Sequence, residues 1–425
     1  MVTKSFEIAN EVELHYIKTD KFKTNYMSFN FVAPLNREQA HFNAMLPLIL
    51  MRGTEKYPSQ AHINKRLQYL YSADISARND SFGEYQIFGM RANMLNNKYA
   101  NGTDVTKETI DLLLDMVFAP YLVNGEFDKE FTKGEKINLI DVIEAEKNNK
   151  GSYALTRLTE EMCKDEVFGI SKMGEIEKIK KITPKSLYKA YKDAIKNYKI
   201  QIYFVGDCDI DSVAEQFKAR FNGIERTPVQ ISDAPIVEKA TDVKEIVETE
   251  KVNQGKLVMG FRTGYHYKEN QYHLVQLFNE IFGGSPTAKL FLNVREKMSL
   301  CYYCRSAVSQ KTGIMFVSSG IEAKNKEIAK EAILDQLKMI QRGEISEEEL
   351  ISAKKSMKNS FLTVYDSAAA METMVFFRGL CGIKTTPILE IEKVENATIE
   401  DVMRVANKIT LDTVYFLKGE DKADE

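Results

Sequence analysis

The chain has 425 residues, 58 basic and 61 acidic side chains, a formal net charge of −3 and a hydrophobic content of 44%. That length points to two or three domains with full cores, and the balanced charge leaves no electrostatic footprint for nucleic acid or an anionic membrane. No apolar run reaches the roughly 18 residues of a membrane span, and residues 1–10 carry no apolar run behind their lysine, so neither a span nor a signal peptide is expected. Five cysteines, Cys163, Cys208, Cys301, Cys304 and Cys381, are an odd, widely spaced set that fits a reduced, cytoplasmic protein.

Along the first half, Tyr26-Met27-Ser28-Phe29-Asn30-Phe31 alternates apolar and polar side chains, as in a strand with one packed face. Residues 44–54 read A-M-L-P-L-I-L-M-R-G-T, an apolar run that predicts a buried helix over 40–52. A helix over 59–71 leads into strands near 73–80 and 84–93. Residues 135–142, E-K-I-N-L-I-D-V, lie on a later helix, with Asp141 beside Val142. Thr183 then caps a helix whose first residue is Pro184, followed by the strand 200–207. Residues 226–235 hold two prolines and no helical period, which marks a linker.

The second half opens with a turn at His266-x-x-Glu269 that enters a helix over 271–282, with His273 inside it. Gly283-Gly284 reads as a turn. A helix over 286–297, containing A-K-L-F-L-N-V-R-E-K, leads to strands near 301–309 and 313–320. Residues 323–358 read as one Lys/Glu-rich helix with solvated i,i+4 pairs. A Thr398-capped helix and a strand over 412–419 repeat, about 214 residues later, the Thr183 helix and its strand. The halves are expected to be homologous domains, 1–228 and 236–425. Hairpin strands beside runs of helices, without strict β-α alternation, indicate an α+β fold with an antiparallel sheet covered by helices in each domain.

The passage from residue 44 to 93 resembles the pitrilysin/insulinase family, which includes mitochondrial processing peptidase. Members carry an inverted zinc motif, H-x-x-E-H, ahead of a Gly-Thr pair. Counting back from Gly53-Thr54, the first His falls on Ala44, the Glu on Pro47 and the second His on Leu48. The third ligand, a Glu in a stretch like E-R-x-V-V-x-E-E, falls on Val142. A catalytic zinc needs three protein ligands and a general base for its water. Methyl, pyrrolidine, isobutyl and isopropyl groups supply neither, so the resemblance implies an inactive-type member with no metal or cofactor of its own. In the second half, L-F-L-N-V-R-E-K-M-S-L-C-Y resembles the family's L-F-x-x-I-R-E-K-x-x-L-A-Y. The resemblance makes Arg295 and Tyr302 substrate-binding residues, donors suited to peptide carbonyls and a developing oxyanion. Cys301 replaces the family's Ala there.

Other signals are weaker. Cys301-x-x-Cys304 has metal-like spacing, but i and i+3 on a strand are expected to face opposite ways, and no second pair accompanies it. His15, His41 and His62 are scattered. Two functions follow from the resemblance. In one, the chain is the non-catalytic, peptide-binding subunit of a heterodimeric zinc metallopeptidase and serves a homologous partner with intact H-x-x-E-H. In the other, it is a peptide-binding or scaffold protein with no peptidase partner. A branch of the family linked to modification of elongation factor P resembles it loosely.

Overall fold

In the computed structural model, which describes residues 1–269 and 271–419, the alternating segments of the first half become strands. They are β1 (Lys4–Ala9), β2 (Val12–Lys18), β3 (Thr24–Pro34), β4 (Asp74–Phe82) and β5 (Tyr85–Leu95). A two-residue pair, β6 (Leu122–Val123) and β7 (Glu126–Phe127), precedes β8 (Lys199–Gly206). Apart from β6 and β7 these strands form one sheet in the order β1-β2-β8-β3-β5-β4, in which β2/β8 is the parallel pairing. β3 is buried on both sides, not on one face as its alternation predicts. Phe29 and Phe31 enter a core with Phe88 and Phe204, under the helices Ala40–Leu50, Val105–Phe118, Pro184–Asn197 and Ile210–Phe221. The polar side chains Ser28 and Asn30 point the other way and are also fully buried.

The second half repeats the plan. Its strands are β9 (Lys244–Glu250), β10 (Gly255–Arg262), β11 (Cys301–Val308), β12 (Ile314–Ile321) and β13 (Thr410–Gly419). They form a sheet in the order β11-β12-β10-β13-β9. Read from the other edge, this is β2-β8-β3-β5-β4 strand for strand, and the parallel pair, β9/β13, falls in the same place. Thr183 and Thr398 both cap their helices as expected, each bonded to the third helical residue, Ser186 or Asp401.

Two compact units result, and each includes a segment from the other half of the sequence. One comprises Met1–Ile143, Ile170–Asp233 and Tyr365–Leu380. The other comprises Glu144–Gly169, Ala234–Val364 and the chain from Cys381 onward. In the first, the helix Ala368–Leu380 covers the second sheet face, with Phe376 against Val32, Ile87 and Tyr203. In the second, the helix Lys150–Met162 does so, with Ala154, Leu158 and Met162 against Val258, Tyr415 and Leu417.

Three local expectations change. The helix foreseen over 323–358 is two helices, Lys326–Gln341 and Glu347–Thr363, because Gly343 turns at φ +79° and Ser346 starts a new capping box with Glu349. The helix over 271–282 is α-helical only for Tyr272–Asn279 and continues as a wider π turn, Glu280–Gly284. Gly283 is there for close approach: a Cβ would meet the Ser306 backbone nitrogen of β11 at 2.8 Å. The segment 226–235 begins anchored, with the buried Arg226 guanidinium donating to the carbonyls of Asn10, Ile195 and Tyr198. Among the described residues, no helix is long and apolar enough to cross a membrane.

Candidate functional site

The helix Ala40–Leu50 presents the zinc-motif positions to two environments. Ala44 and Pro47 are buried and Leu48 is half-buried. Pro47 lines a small apolar cavity with Phe29, Phe31, Leu50, Phe88 and Val117. A ring nitrogen without hydrogen also removes the amide that would bond Asn43, one helical turn back. Val142, at the third-ligand position on the helix Lys129–Glu146, is 49% exposed. The donor set therefore does not fit zinc: four side chains without a lone pair offer a metal nothing, and Asp141 beside them is exposed. Among the described residues no group of three or more His, Cys, Asp or Glu side chains could hold a metal ion.

One charged residue of that neighbourhood is employed otherwise. Glu135, the first Glu of the third-ligand stretch, is 5% exposed and accepts from the Arg52 Nε, with Asn138 donating to its other oxygen at 3.3 Å. This pair ties the residue before Gly53-Thr54 to the helix Lys129–Glu146. The signal for it was a single arginine ending an apolar helix.

Arg295 and Tyr302 lie at the surface of the second unit. Arg295 sits in the π-helical segment Leu290–Lys297, with its guanidinium 4.6 Å from the Phe291 ring centre and 3.5 Å from a Glu296 oxygen. Its side chain is 38% exposed. Tyr302, near the start of β11, is 65% exposed. Neither residue is spent on a core.

Beside Tyr302 on β11 is a thiol pair that strand alternation misplaces. A bulge at Cys301/Tyr303 shifts the β11/β12 register, so Cys301 and Cys304 come to the same side and hydrogen-bond. The Cys304 thiol, buried, donates to Cys301 and holds it down at about 7, and the Arg295 guanidinium adds to this. His266 and Glu269, by contrast, cap their own loop: Glu269 accepts from the His266 amide at 3.0 Å.

Comparison with known proteins accords with this geometry. The family model described as peptidase M16 inactive domain matches residues 181–357. The "probable inactive metalloprotease YmfF" of Bacillus subtilis is 36% identical over 411 residues, 96% of each chain. The same organism's "uncharacterized zinc protease YmxG" is 25% identical over 61% of each chain. A conserved protein from Enterococcus faecalis V583, solved by crystallography, superposes with a TM-score of 0.91 at 29% identity and 99% coverage of both chains.

Proposed function

The chain belongs to the peptidase M16 (pitrilysin/insulinase) family as a member without peptidase chemistry of its own, and from that premise we propose that it is the non-catalytic, peptide-binding subunit of a heterodimeric zinc metallopeptidase. Arg295 and Tyr302 would be its contribution to a zinc site borne by a homologous H-x-x-E-H partner. The observation that carries the proposal is the contrast between the two motifs. All four zinc-site positions are apolar, whereas the Arg/Tyr motif keeps both donor side chains, half-buried at Arg295 and exposed at Tyr302, outside the core. That one organism carries relatives named as an inactive and as a zinc-type protease supports the pairing.

Within such a site, zinc on the partner would supply the activated water. The Arg295 fork suits bidentate donation to peptide carbonyls, and the Tyr302 hydroxyl suits donation to the oxyanion that develops on the scissile carbonyl. Zinc is assigned to the partner alone, and elemental analysis of the purified chain checks this: about one tightly held zinc per chain would refute it.

Reconstitution tests the main reading. Arg295→Ala and Tyr302→Phe, mixed with an intact-motif partner from the same genome, should lower peptide turnover by about 10²–10³-fold. Thermal stability and partner binding should be unchanged. Wild-type turnover from both variants would favour the scaffold reading, in which the chain grips peptide or another partner without any protease, in a role such as elongation factor P modification.

A further inference from the structure

A cleft of about 810 Å³ opens within the second unit, and neither the Arg295/Tyr302 pair nor the Cys301/Cys304 pair lines it. Its walls are the start of the helix Lys150–Met162, the turn 251–254 between β9 and β10, and the adjoining parts of β10, β11 and β12. Four cations line it, Lys150, Lys251, Lys256 and Arg305, and no carboxylate does. Lys150 is answered by Glu250 at 3.3 Å. Lys251, Lys256 and Arg305 form no ion pair among the described residues. Lys256 donates instead to Gln254 at 2.5 Å and lies 5.5 Å from the Tyr303 ring centre. Burial pulls its ammonium below the usual lysine range.

The same wall holds a helix end. Asn149 caps the helix Lys150–Met162, its side chain accepting from the Ser152 amide at 3.2 Å. The first-turn amides have no helical acceptor and carry the positive end of the helix dipole. Unbalanced positive charge concentrated in one recess is a cost to the fold that an anion relieves. The volume is within the range of pockets for small organic ligands, about 300–1,000 Å³.

We propose that this cleft binds an oligophosphate chain, free or as the tail of a nucleotide. Lysine ammoniums act as point charges for phosphate, the Arg305 fork can engage two phosphate oxygens, and the helix start adds backbone donors. Tyr302, the neighbour of the cleft-lining Tyr303, does not line it. The oligophosphate site is therefore separate from the Arg295/Tyr302 motif, and it stands whether or not the chain has a peptidase partner.

Calorimetric titration of the full chain with inorganic tripolyphosphate tests the assignment. Saturable binding is expected, weakening as salt is raised because exposed charges are screened. Lys256→Met and Arg305→Gln should each weaken it roughly tenfold, the usual scale for one charge-assisted contact. Lys251→Gln, on an exposed turn, gives the same readout if either of these variants unfolds, and Lys65→Gln, in the first unit, should change nothing. ATP binding with equal affinity and the same sensitivity to these variants assigns the nucleotide tail. Binding of tripolyphosphate alone assigns the free chain. No binding at millimolar tripolyphosphate, binding indifferent to all three cleft variants, or equally tight binding of a hexaglutamate peptide would overturn the proposal.

Discussion

At the scale of single residues, Cys301 differs in kind from Cys163, Cys208 and Cys304. Burial pushes Cys163 and Cys208 up to about 12, whereas the Cys304 hydrogen bond holds Cys301 at about 7. A lowered thiol pKa means more thiolate, the nucleophilic form, at neutral pH. Iodoacetamide at pH 7 should therefore label Cys301 first, with a rate that rises through pH 7 and levels above it. Cys304→Ala removes the donor and should return Cys301 towards the ordinary range near 8.5, slowing labelling at pH 7 roughly tenfold. Peptide mapping by mass spectrometry reads both outcomes, and equal labelling of Cys163 or Cys208 would contradict them. The sequence showed the C-x-x-C spacing but not the bulge. No glycine marks it, and one added residue moves Cys304 to the face that alternation denies it. At Ala44, Pro47, Leu48 and Val142 the reverse holds, since the absence of donor atoms is a property of the residues themselves.

At the scale of elements, local chemistry was legible wherever both partners lie within a few residues. Thr183-Pro184 and Thr398 announced helix starts, and the structure places both caps as read. The break at Gly343 was equally local, with Ser346 and Glu349 forming a capping box, but the density of Lys and Glu around it favoured one continuous helix. The helix Ala368–Leu380 was illegible for a different reason. Glu372 looks like a solvent-facing residue, yet it is fully buried and accepts from Ser28 at 2.9 Å and from Arg78 at 2.8 Å. The Arg78 guanidinium also lies 5.1 Å from the Phe376 ring centre. Asp80 pairs with Arg78 locally, at 2.8 Å, but Glu372 is 294 residues away in sequence, so no window around Arg78 contains the reason for Glu372. Removing Glu372 leaves the buried Arg78 with the part-exposed Asp80 alone as its counter-charge. Glu372→Ala should destabilise the first unit by about 1.5–3 kcal/mol, seen as a lower denaturant midpoint. Arg78→Met with Glu372→Leu, which removes both charges and keeps the bulk, should recover most of that loss. An unchanged midpoint for Glu372→Ala would mean that the pair contributes nothing.

At the scale of the whole molecule, the duplicated strand order explains why a half-chain repeat could be seen in the sequence, while the exchange of segments could not. Repeated caps and strands leave a constant offset. Which sheet a late helix covers depends on packing, and Ala368–Leu380 carries no mark of belonging to the first unit. The exchange has a consequence for expression of the first unit alone. A fragment of residues 1–233 retains β1 to β5 and β8 but loses Tyr365–Leu380, leaving Arg78 without Glu372 and Val32, Ile87 and Tyr203 without Phe376. Exposed apolar sheet surface and a buried Arg78 left with Asp80 alone both act against it. The fragment should bind a hydrophobic dye and unfold well below the first transition of the full chain. Supplying residues 365–380 as a synthetic peptide should raise its unfolding temperature, the rise growing with the logarithm of peptide concentration above Kd, since whatever binds only the folded state stabilises it. High peptide concentrations will be needed, because a free helix of this length is marginal in water and the covalent tether no longer supplies local concentration. The same peptide with Glu372→Ala should give little or no shift, which separates docking at Arg78 from non-specific adhesion. A bare fragment that unfolds cooperatively at the temperature of the full chain, with no response to peptide, would show that the segment is dispensable.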